Sequence, residues 1–326
     1  MEYTRIVFRE REEISRWLAA GMTQAMIAAW LTRSESAISR EVNRVGRVVY
    51  RAEDAEHHVQ TRKRTRYSKI AKNNALKMVV HEKLNMLWSP EQIAAYLKDR
   101  YGGDMTMRAS HETIYAYLYV LPRGTLKKDL IRCLRQKRKL RSRRKNEHQK
   151  RGKIPDMVSI HERPKETEDR RIPGHWEGDL IVGPGHRSAL GTLVERTTRT
   201  TILVPLKHPD SYEVRRAFAK AVAHLPAHLK KSLTYDQGTE MSQHKLFTKE
   251  TKVQVYFADP HSPWQRGTNE NTNGLLRQFF PKGTDFTKVS LHAVRRAEQL
   301  LNGRPRKTLG WRTPVEAFNQ LLALEA

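Results

Sequence analysis

Three acidic side chains, Asp179, Asp236 and Glu270, stand where carboxylates can hold a metal ion for phosphodiester chemistry. Asp179 lies inside the β-rich run WEGDLIV, where a charge is costly unless that face of the strand carries a site. Asp236 ends the run LTYD, and ligand sites often form at such strand ends. Glu270 falls in the first turn of a helix predicted to start near Thr268. Taken singly, the three are equally consistent with a strand-edge charge, a turn residue and a helix-capping carboxylate.

Carboxylates that meet at one edge of a sheet repel one another unless a cation binds between them. Hard oxygen ligands favour Mg²⁺ or Mn²⁺ over zinc, and two such ions suit the breaking of phosphodiester bonds. Glu177 points to the same side of its strand as Asp179 and is an alternative ligand. Glu240 is a second alternative, whereas Asp259, which precedes Pro260, is predicted to form a turn.

The elements that must position these carboxylates follow an α/β pattern from residue 174 onward. Three runs, HWEGDLIVG, ALGTLVERT and TTILVPL, predict successive antiparallel strands. Helices, among them SYEVRRAFAKAVAHL and EMSQHKLFTKE, then alternate with the strands KSLTYD and VQVYFA, and further helices follow. This order is that of an α/β ribonuclease-H-like core, a mixed five-stranded sheet with helices, and at this point the assignment is an analogy of fold.

Residues 1–60 have the pattern of a helix-turn-helix unit. Thr23 and Ser34 are predicted to cap the helices QAMIAAWL and ESAISREVNR, which a short turn separates. The second helix then reads a major groove, and a plain three-helix bundle is the alternative. The side chains predicted to contact DNA here are Arg33, Ser34, Ser36, Ser39, Arg40 and Asn43.

Residues 61–122 are predicted to form a second helical DNA-binding unit. In WSPEQIAAYLKDRYG, Ser89, Pro90 and Gln92 make a capping-box start, and a further helix begins near Ser110. The alternative is that the tyrosines of this helix simply pack the domain. The predicted DNA contacts are Arg108, Ser110, His111 and Thr113.

The charge of the chain points to an anionic partner. The formal net charge is +26, from 61 Lys and Arg against 35 Asp and Glu, and nucleic acid is the first candidate. The run Arg132–Lys145 holds nine basic residues and no acidic one. We predict that this run orders on DNA by contacting phosphates, with a solvated tether as the alternative. Its predicted contacts are Arg138, Arg141, Arg143 and Arg144.

The remaining composition bounds the setting and the domains. The lone cysteine, Cys133, excludes an intrachain disulfide and argues against a structural zinc site. No apolar run approaches the roughly 18 residues of a membrane span, so we expect a cytoplasmic, nucleoid-associated protein. The predicted domains are all-α DNA-binding units at 1–60 and 61–122, a basic linker at 123–170 and the ribonuclease-H-like domain at 171–326.

Several stretches together closely resemble the bacterial insertion-sequence-30 family of transposases. WEGDLI, LTYDQGTE and DPHSPWQRGTNENTNGLLRQFFPKGTDF are similar to its catalytic-core motifs. The 33 residues between Asp236 and Glu270 match the separation of the second Asp and the Glu in that family. TQAMIAAWLTRSESAISREVNR, WSPEQIAAYL with SHETIYAYLY, and NGRPRKTLGWRTPVEAF resemble its other segments, so the resemblance covers nearly the whole chain.

The resemblance implies a DDE transposase whose metal-binding triad is Asp179, Asp236 and Glu270. Such enzymes use two Mg²⁺ ions, for which Mn²⁺ substitutes. The implied partners are double-stranded DNA, as terminal inverted repeats and as target, and a second copy of the chain in an active dimer or higher oligomer. Arg266, Asn273 and Arg277, which flank Glu270, are predicted to contact the DNA backbone near the scissile bond.

Two alternatives remain at the level of sequence. One is a DNA-binding regulator that keeps the fold but has lost catalysis, against which the intact triad argues. The other is a nuclease that cleaves without strand transfer.

Overall fold

The computed structural model describes residues 6–43, 49–64, 69–121, 124–134 and 154–323. The chain divides into two compact units, Met1–Lys72 and Asn73–Ala326. Within the described part of the chain, no helix is both long and apolar enough to cross a membrane. The finer division into four domains stays a prediction.

The first unit is helical, and its helix-turn-helix is confirmed. Its helices are α1 (Phe8–Ala19), α2 (Gln24–Trp30), α3 (Glu35–Val42), α4 (Ala52–Arg64) and α5 (Lys69–Lys72). Thr23 caps α2 by accepting a hydrogen bond from the backbone N–H of Met26. Ser34 precedes α3 without a side-chain capping bond, and its hydroxyl lies 3.2 Å from that of Ser36 instead. Fully buried Ile14, Ile27 and Ile38 join α1, α2 and α3 in one core.

The second unit begins with helices, and those between residues 74 and 120 lie inside the range predicted for the second helical unit. They are α6 (Asn74–Asn85), α7 (Pro90–Arg100), α8 (His111–Val120) and α9 (Thr125–Arg132). Ser89 and Gln92 form the predicted capping box of α7, and Ser110 caps α8 through the N–H of Thr113. Ile114 and Leu118 of α8 are fully buried, as their helical spacing predicts. Helix α9 lies inside the range predicted as a basic linker.

A five-stranded mixed sheet forms the centre of the second unit, as predicted. The strands are β1 (His175–Val182), β2 (Ala189–Glu195), β3 (Thr201–Leu206), β4 (Ser232–Tyr235) and β5 (Gln254–Phe257). Their spatial order is β3-β2-β1-β4-β5. Strands β1, β2 and β3 are antiparallel neighbours, whereas β4 runs parallel to both β1 and β5. This is the ribonuclease-H-like arrangement.

Helices cover both faces of the sheet. They are α10 (Ser211–Ala223), α11 (His244–Thr251), α12 (Gly267–Leu276), α13 (Leu291–Asn302) and α14 (Pro314–Ala323). Helix α11 starts later than the run EMSQHKLFTKE predicts, because Thr239–Met241 form a separate 3-10 turn. Helix α12 packs on β1 and β2, and α13 packs on β3. Alternate residues of β1 therefore face different cores: Trp176 packs with the α10 side and Ile181 with the α12 side.

Two glycines let aromatic rings approach the sheet closely on the α10 side. A Cβ atom at Gly178 would stand 2.8 Å from the ring of Tyr235, and one at Gly191 would stand 2.4 Å from the ring of Phe218. These rings meet edge to face with centroids 6.3 Å apart. Gly178 therefore fixes the packing on one side of β1, while its neighbour Asp179 points to the other side.

The segment before β1 is packed onto the sheet domain, although the sequence places it in the linker. Ile154 is buried in the core on the α10 side. Ser159 forms a β-bridge with Phe257 of β5, and the backbone N–H of Phe257 donates to the carbonyl of Val158. Arg163 then reaches β4, where it donates a hydrogen bond of 3.0 Å to the Thr234 hydroxyl.

Candidate active site

Strand register brings Asp179 and Asp236 side by side. Glu177 of β1 is the partner of Thr234 of β4 in the parallel pair. Asp179 stands two residues further along β1, and Asp236 directly follows the end of β4, on the face that α12 covers. Both carboxylates are partly exposed, at 29% and 28% of their side-chain surface. The predicted meeting of these two residues is therefore present in the fold.

A single guanidinium group lies between the two carboxylates. Nη1 of Arg266 is 3.5 Å from an oxygen of Asp179, and its Nη2 is 3.4 Å from an oxygen of Asp236. Nη1 also donates a hydrogen bond of 3.0 Å to the carbonyl of Gly178. Arg266 ends the 3-10 turn Pro263–Arg266, directly before α12, and its side chain is only 15% exposed. Both aspartates therefore lie next to the same positively charged group, the guanidinium of Arg266.

The surroundings of Asp179 oppose its ionisation. Burial raises the pKa of this carboxyl, and the nearby charge of Asp236 raises it further. Arg266 and the backbone N–H of Leu180, which donates to the carboxylate at 2.9 Å, act in the opposite direction. A bound cation stabilises the ionised pair for the same electrostatic reason that Arg266 does.

Asn273 is a further contact of Asp179. Its side-chain N–H donates a 2.8 Å hydrogen bond to the second carboxylate oxygen of Asp179. Asn273 lies one helical turn after Glu270, so the two residues share a side of α12. Within the described residues, the amide oxygen of Asn273 is buried without a hydrogen-bond partner.

Glu270 stands in the first turn of α12, as predicted, and its side chain is exposed. It forms no hydrogen bond or ion pair with the described part of the chain. The helix start is capped from the sheet instead, because the carboxylate of Glu177 accepts a 2.8 Å hydrogen bond from the N–H of Asn269. Glu270 is thus not needed as a cap, and no contact within the described residues competes for its carboxylate.

Asn269 ties α12 to the sheet. This residue is fully buried, and its amide group donates to the backbone carbonyls of Glu177 and Thr192 at 2.8 and 3.3 Å. Its oxygen accepts a hydrogen bond of 3.1 Å from the Thr192 hydroxyl, which also lies 3.2 Å from the carbonyl of Asp179. These bonds set the position of α12, and hence of Glu270, relative to β1.

Glu177, the first alternative ligand, has a structural role. It is fully buried and forms an ion pair of 3.0 Å with Arg196, whose guanidinium also donates to the carbonyl of Thr167. Because both its oxygens already accept hydrogen bonds from Arg196 and Asn269, little capacity remains for a metal. Asp259 is held in a loop, where it contacts Gln265 and His161.

The donor set fits a divalent cation at the aspartate pair. Two carboxylates from neighbouring strands already enclose a positive group, and hard oxygen donors suit Mg²⁺ or Mn²⁺. Among the described residues, no group of three or more His, Cys, Asp or Glu side chains is arranged to hold a metal ion. In the described part of the chain, Glu270 of α12 is therefore not closed around a shared site with this pair.

The predicted DNA-contacting residues of the first unit lie on and beside α3. Ser34, Ser36, Arg40 and Asn43 are exposed, and Ser39 is half-buried. Arg40 and Asn43 bond within the helix, to Ser36 and Ser39. The guanidinium of Arg33 instead pairs with Glu10 of α1 at 3.0 Å, which anchors the turn between α2 and α3.

In the second unit, Ser110 and His111 are exposed at the start of α8, and Thr113 is half-buried. Arg108 is also half-buried and donates to the carbonyl of Gly102. Of the three tyrosines of α8, Tyr117 packs inward, whereas the exposed rings of Tyr115 and Tyr119 stack with centroids 6.4 Å apart. The predicted linker contacts Arg138, Arg141, Arg143 and Arg144 lie outside the described residues.

Sequence reasoning did not identify Asn269, Thr192 and Arg196, which hold the site together. A signal was available in the second strand, because Thr192 interrupts the apolar run ALGTLVE on its α12-facing side. Buried polar groups of this kind need partners, so each of them marks a network. Which partners they have depends on the register of β1 with β2, where Thr192 lies opposite Asp179.

Comparison with known protein families matches two parts of the chain. A model of the integrase core domain matches residues 169–263, and a model of a helix-turn-helix domain matches residues 2–45. The first match contains Asp179 and Asp236 and ends before Glu270.

Individual proteins are similar over nearly the full chain. The transposase for insertion sequence element IS1086 of Cupriavidus metallidurans is 45% identical over 326 residues, covering 99% of this chain and 96% of the relative. Transposase InsI for insertion sequence element IS30A of Escherichia coli is 44% identical, covering 98% of this chain and 84% of the relative. The transposase for IS4351 of Bacteroides fragilis is 32% identical over 320 residues, covering 97% and 96%.

Proposed function

The chain belongs to the insertion-sequence-30 family of transposases, and from this premise we propose that Asp179, Asp236 and Glu270 form the metal-binding triad of its active site. It is a DDE-type transposase, with an integrase core and an N-terminal helix-turn-helix. One observation carries the proposal: Asp179 and Asp236 both lie next to the guanidinium of Arg266, directly before the helix that carries Glu270.

The integrase core implies dependence on a divalent metal. We propose that the metal is Mg²⁺, with two ions per site and with Mn²⁺ able to substitute, because the donors are carboxylate oxygens. Bound metal of this kind activates an attacking oxygen and stabilises a leaving oxygen at phosphorus. Asp179 and Asp236 would hold it from adjacent strands, and Glu270 would approach from α12.

The proposed reaction has two steps at phosphorus. Water attacks a phosphodiester at the transposon end, and the bond to the 3′-oxygen breaks to leave a 3′-hydroxyl. That hydroxyl then attacks a phosphodiester of target DNA, forms a new ester bond and releases the 3′-oxygen of the target strand. The exposed carboxylate of Glu270 faces solvent at the edge of α12, where a DNA strand can approach it.

DNA is the partner that the helix-turn-helix and the transposase relatives support. We propose that the exposed face of α3 and the start of α8 recognise the terminal inverted repeats. Arg266, Asn273 and Arg277 would contact DNA near the scissile bond. Two ends must be held together for transposition, so we propose a dimer or higher oligomer in the active complex, associated with the nucleoid.

The triad is tested with labelled duplex DNA that carries one transposon end, in Mg²⁺ or Mn²⁺. Strand cleavage and the joining of pre-cleaved 3′-ends to target DNA are measured for wild type and for Asp179→Asn, Asp236→Asn and Glu270→Gln. We expect each variant to lose both activities while a mobility-shift assay shows unchanged DNA binding. Glu240→Gln, the second alternative carboxylate, is the matched control and is expected to stay active.

The outcomes separate the alternatives. Activity that persists in any of the three variants overturns the assignment of that residue. Cleavage by wild type without joining indicates a nuclease, and DNA binding without either activity indicates a regulator that has lost catalysis.

A further inference from the structure

Arg266 occupies the place between the two aspartates that a metal would need. Its two terminal nitrogens each face one carboxylate, at 3.5 and 3.4 Å, and the carbonyl of Gly178 holds the same guanidinium from β1. Among the described residues, no other basic side chain pairs with either Asp179 or Asp236. One arginine thus supplies the positive charge that lies between the neighbouring carboxylates.

We propose that Arg266 is a positioning residue that fills the cation site in the metal-free enzyme and gives way to the divalent metal when a DNA phosphate takes its guanidinium. The inference rests on the proposed function, since it takes the aspartate pair to be the metal site. It assigns to Arg266 a role beyond DNA contact, namely the coupling of metal loading to DNA binding.

Electrostatics makes the two occupants exclusive. A guanidinium and a dication compete for the same carboxylate oxygens, and placing both between Asp179 and Asp236 brings like charges into contact. Binding of the metal therefore requires Arg266 to turn away. Any ligand that stabilises the turned-away guanidinium then favours metal binding, and by linkage the metal favours that ligand to the same degree.

A DNA phosphate is suited to be that ligand. Arginine pairs with phosphate through two parallel hydrogen bonds, which are stronger than its two long contacts with the aspartates. Arg266 also lies close to the surface: its turn carries Trp264, which is 71% exposed, and it directly precedes the helix start that leads to Glu270. The proposal requires the side chain to rotate, so that its charge moves from the carboxylates to this exposed edge.

The first test measures metal binding without DNA. The full-length protein is titrated with Mn²⁺, and the free ion is followed by electron paramagnetic resonance for wild type, Arg266→Gln and Arg266→Lys. Asp236→Asn gives the background of other sites. Removing the competing cation is expected to tighten Mn²⁺ binding roughly three- to tenfold in Arg266→Gln, as removal of two partly exposed ion pairs suggests. Arg266→Lys should fall between the two, because lysine offers one point charge.

A matched control is Arg215→Gln. Arg215 is an arginine of α10 that pairs with Glu250 and Gln243 in the same domain, so its replacement removes one charge and one ion pair. We expect its Mn²⁺ affinity to equal that of wild type. If it tightens as much as Arg266→Gln, the effect belongs to net charge and the inference is wrong.

The second test measures coupling. The affinity for transposon-end DNA is measured by fluorescence anisotropy with and without Ca²⁺ at constant ionic strength. Wild type is expected to bind DNA more tightly with Ca²⁺ than without it. This ratio of affinities should be lost in Arg266→Gln and retained in Arg215→Gln. Asp236→Asn reports the part of the effect that comes from metal bound to DNA alone. An unchanged factor in Arg266→Gln overturns the coupling.

The metal site and the role of Arg266 can fail independently. If the Mn²⁺ affinity of wild type does not depend on Asp236, the proposed metal site is wrong. If it depends on Asp236 but Arg266→Gln binds Mn²⁺ no more tightly than wild type, only the role of Arg266 is wrong. Circular dichroism checks folding, and if Arg266→Gln does not fold, the direction of change in Arg266→Lys decides.

Discussion

At the scale of single residues, the site shows how a carboxylate is kept in place. Asp179 receives hydrogen bonds from the backbone of Leu180 and from the amide of Asn273. Both bonds favour the ionised form and a single rotamer, while burial disfavours ionisation. The Asn273 contact comes from α12, so the orientation of one proposed metal-binding carboxylate depends on the helix that carries another.

Replacing Asn273 tests that orienting contact. Asn273→Ala removes a hydrogen bond to a charged group, so we expect strand cleavage to slow on the order of tenfold. Asn271→Ala, an exposed asparagine two positions earlier on the same helix, is the matched control and is expected to cleave at nearly the wild-type rate. Equal rates for Asn273→Ala and wild type would contradict an orienting role.

His175 makes the stability of the sheet depend on pH. Its ring joins β1 to β4 through a 2.7 Å hydrogen bond with Ser232, and burial lowers its pKa from 6.5 to about 4, with Lys231 adding to the effect. Between these values the unfolded chain binds a proton that the folded chain does not. The free energy of unfolding therefore falls as pH falls from about 6.5 towards 4. Above that window the stabilising contribution of the neutral His175 ring is fully present.

Denaturant unfolding between pH 7.5 and pH 4.5 measures this dependence. In His175→Asn the decline of stability across the window should be less steep than in wild type. The control is His224→Asn, which replaces an exposed histidine at the end of α10 and should leave the slope unchanged. Parallel pH profiles for His175→Asn and wild type would show that another group causes the decline.

At the scale of elements, the junction between α12 and the sheet decides where Glu270 stands. Asn269 and the buried pair of Glu177 with Arg196 form that junction, and their polar groups satisfy one another away from water. Breaking such a network leaves buried polar groups unpaired, which is more costly than the loss of the bonds alone.

Asn269→Ala tests the junction. It removes three side-chain hydrogen bonds, so we expect the free energy of unfolding to fall by about 2–3 kcal/mol, measured by urea denaturation. Cleavage activity should fall further than the folded fraction explains, because α12 loses its register on β1. A stability loss with normal activity per folded molecule would show that Glu270 is positioned by other contacts.

Much of the element structure follows from the sequence, and the exceptions have physical causes. Strand and helix runs such as TTILVPL and LHAVRRAEQLLN are predictable because local periodicity fixes them. The contacts of Arg266 and Asn269 cannot be predicted in this way, because they depend on strand register and on how α12 packs on the sheet. Asn269, for example, bonds to Thr192, which lies 77 residues earlier in the chain. From the sequence, Arg266 is predicted to contact DNA because it is a basic residue close to Glu270. Its position between Asp179 and Asp236 depends on the pairing of β1 with β4.

At the scale of the whole molecule, positive charge is concentrated ahead of the catalytic sheet. The densest basic run, Arg132–Lys145, is rich in arginine, which contacts phosphates whatever the base sequence. Substituting Arg141, Arg143 and Arg144 by glutamine should weaken binding to all DNA sequences. The slope of log affinity against log salt should become shallower by roughly 2–3, because each neutralised phosphate accounts for about 0.9 of that slope.

The measurement compares end DNA with a scrambled duplex over a range of salt concentrations. Equal weakening for both is expected. A decrease confined to end DNA would contradict the phosphate-contact interpretation of this run.

Strands β1 and β4 and helix α12 are proposed to build a metal centre together. The most direct measurement is anomalous X-ray diffraction from crystals of the protein bound to end DNA and Mn²⁺. We predict an anomalous peak between Asp179 and Asp236, with Glu270 as a further ligand and with the guanidinium of Arg266 moved onto a DNA phosphate. A peak elsewhere, or none at the aspartate pair while Arg266 still lies between the carboxylates, would contradict the claim.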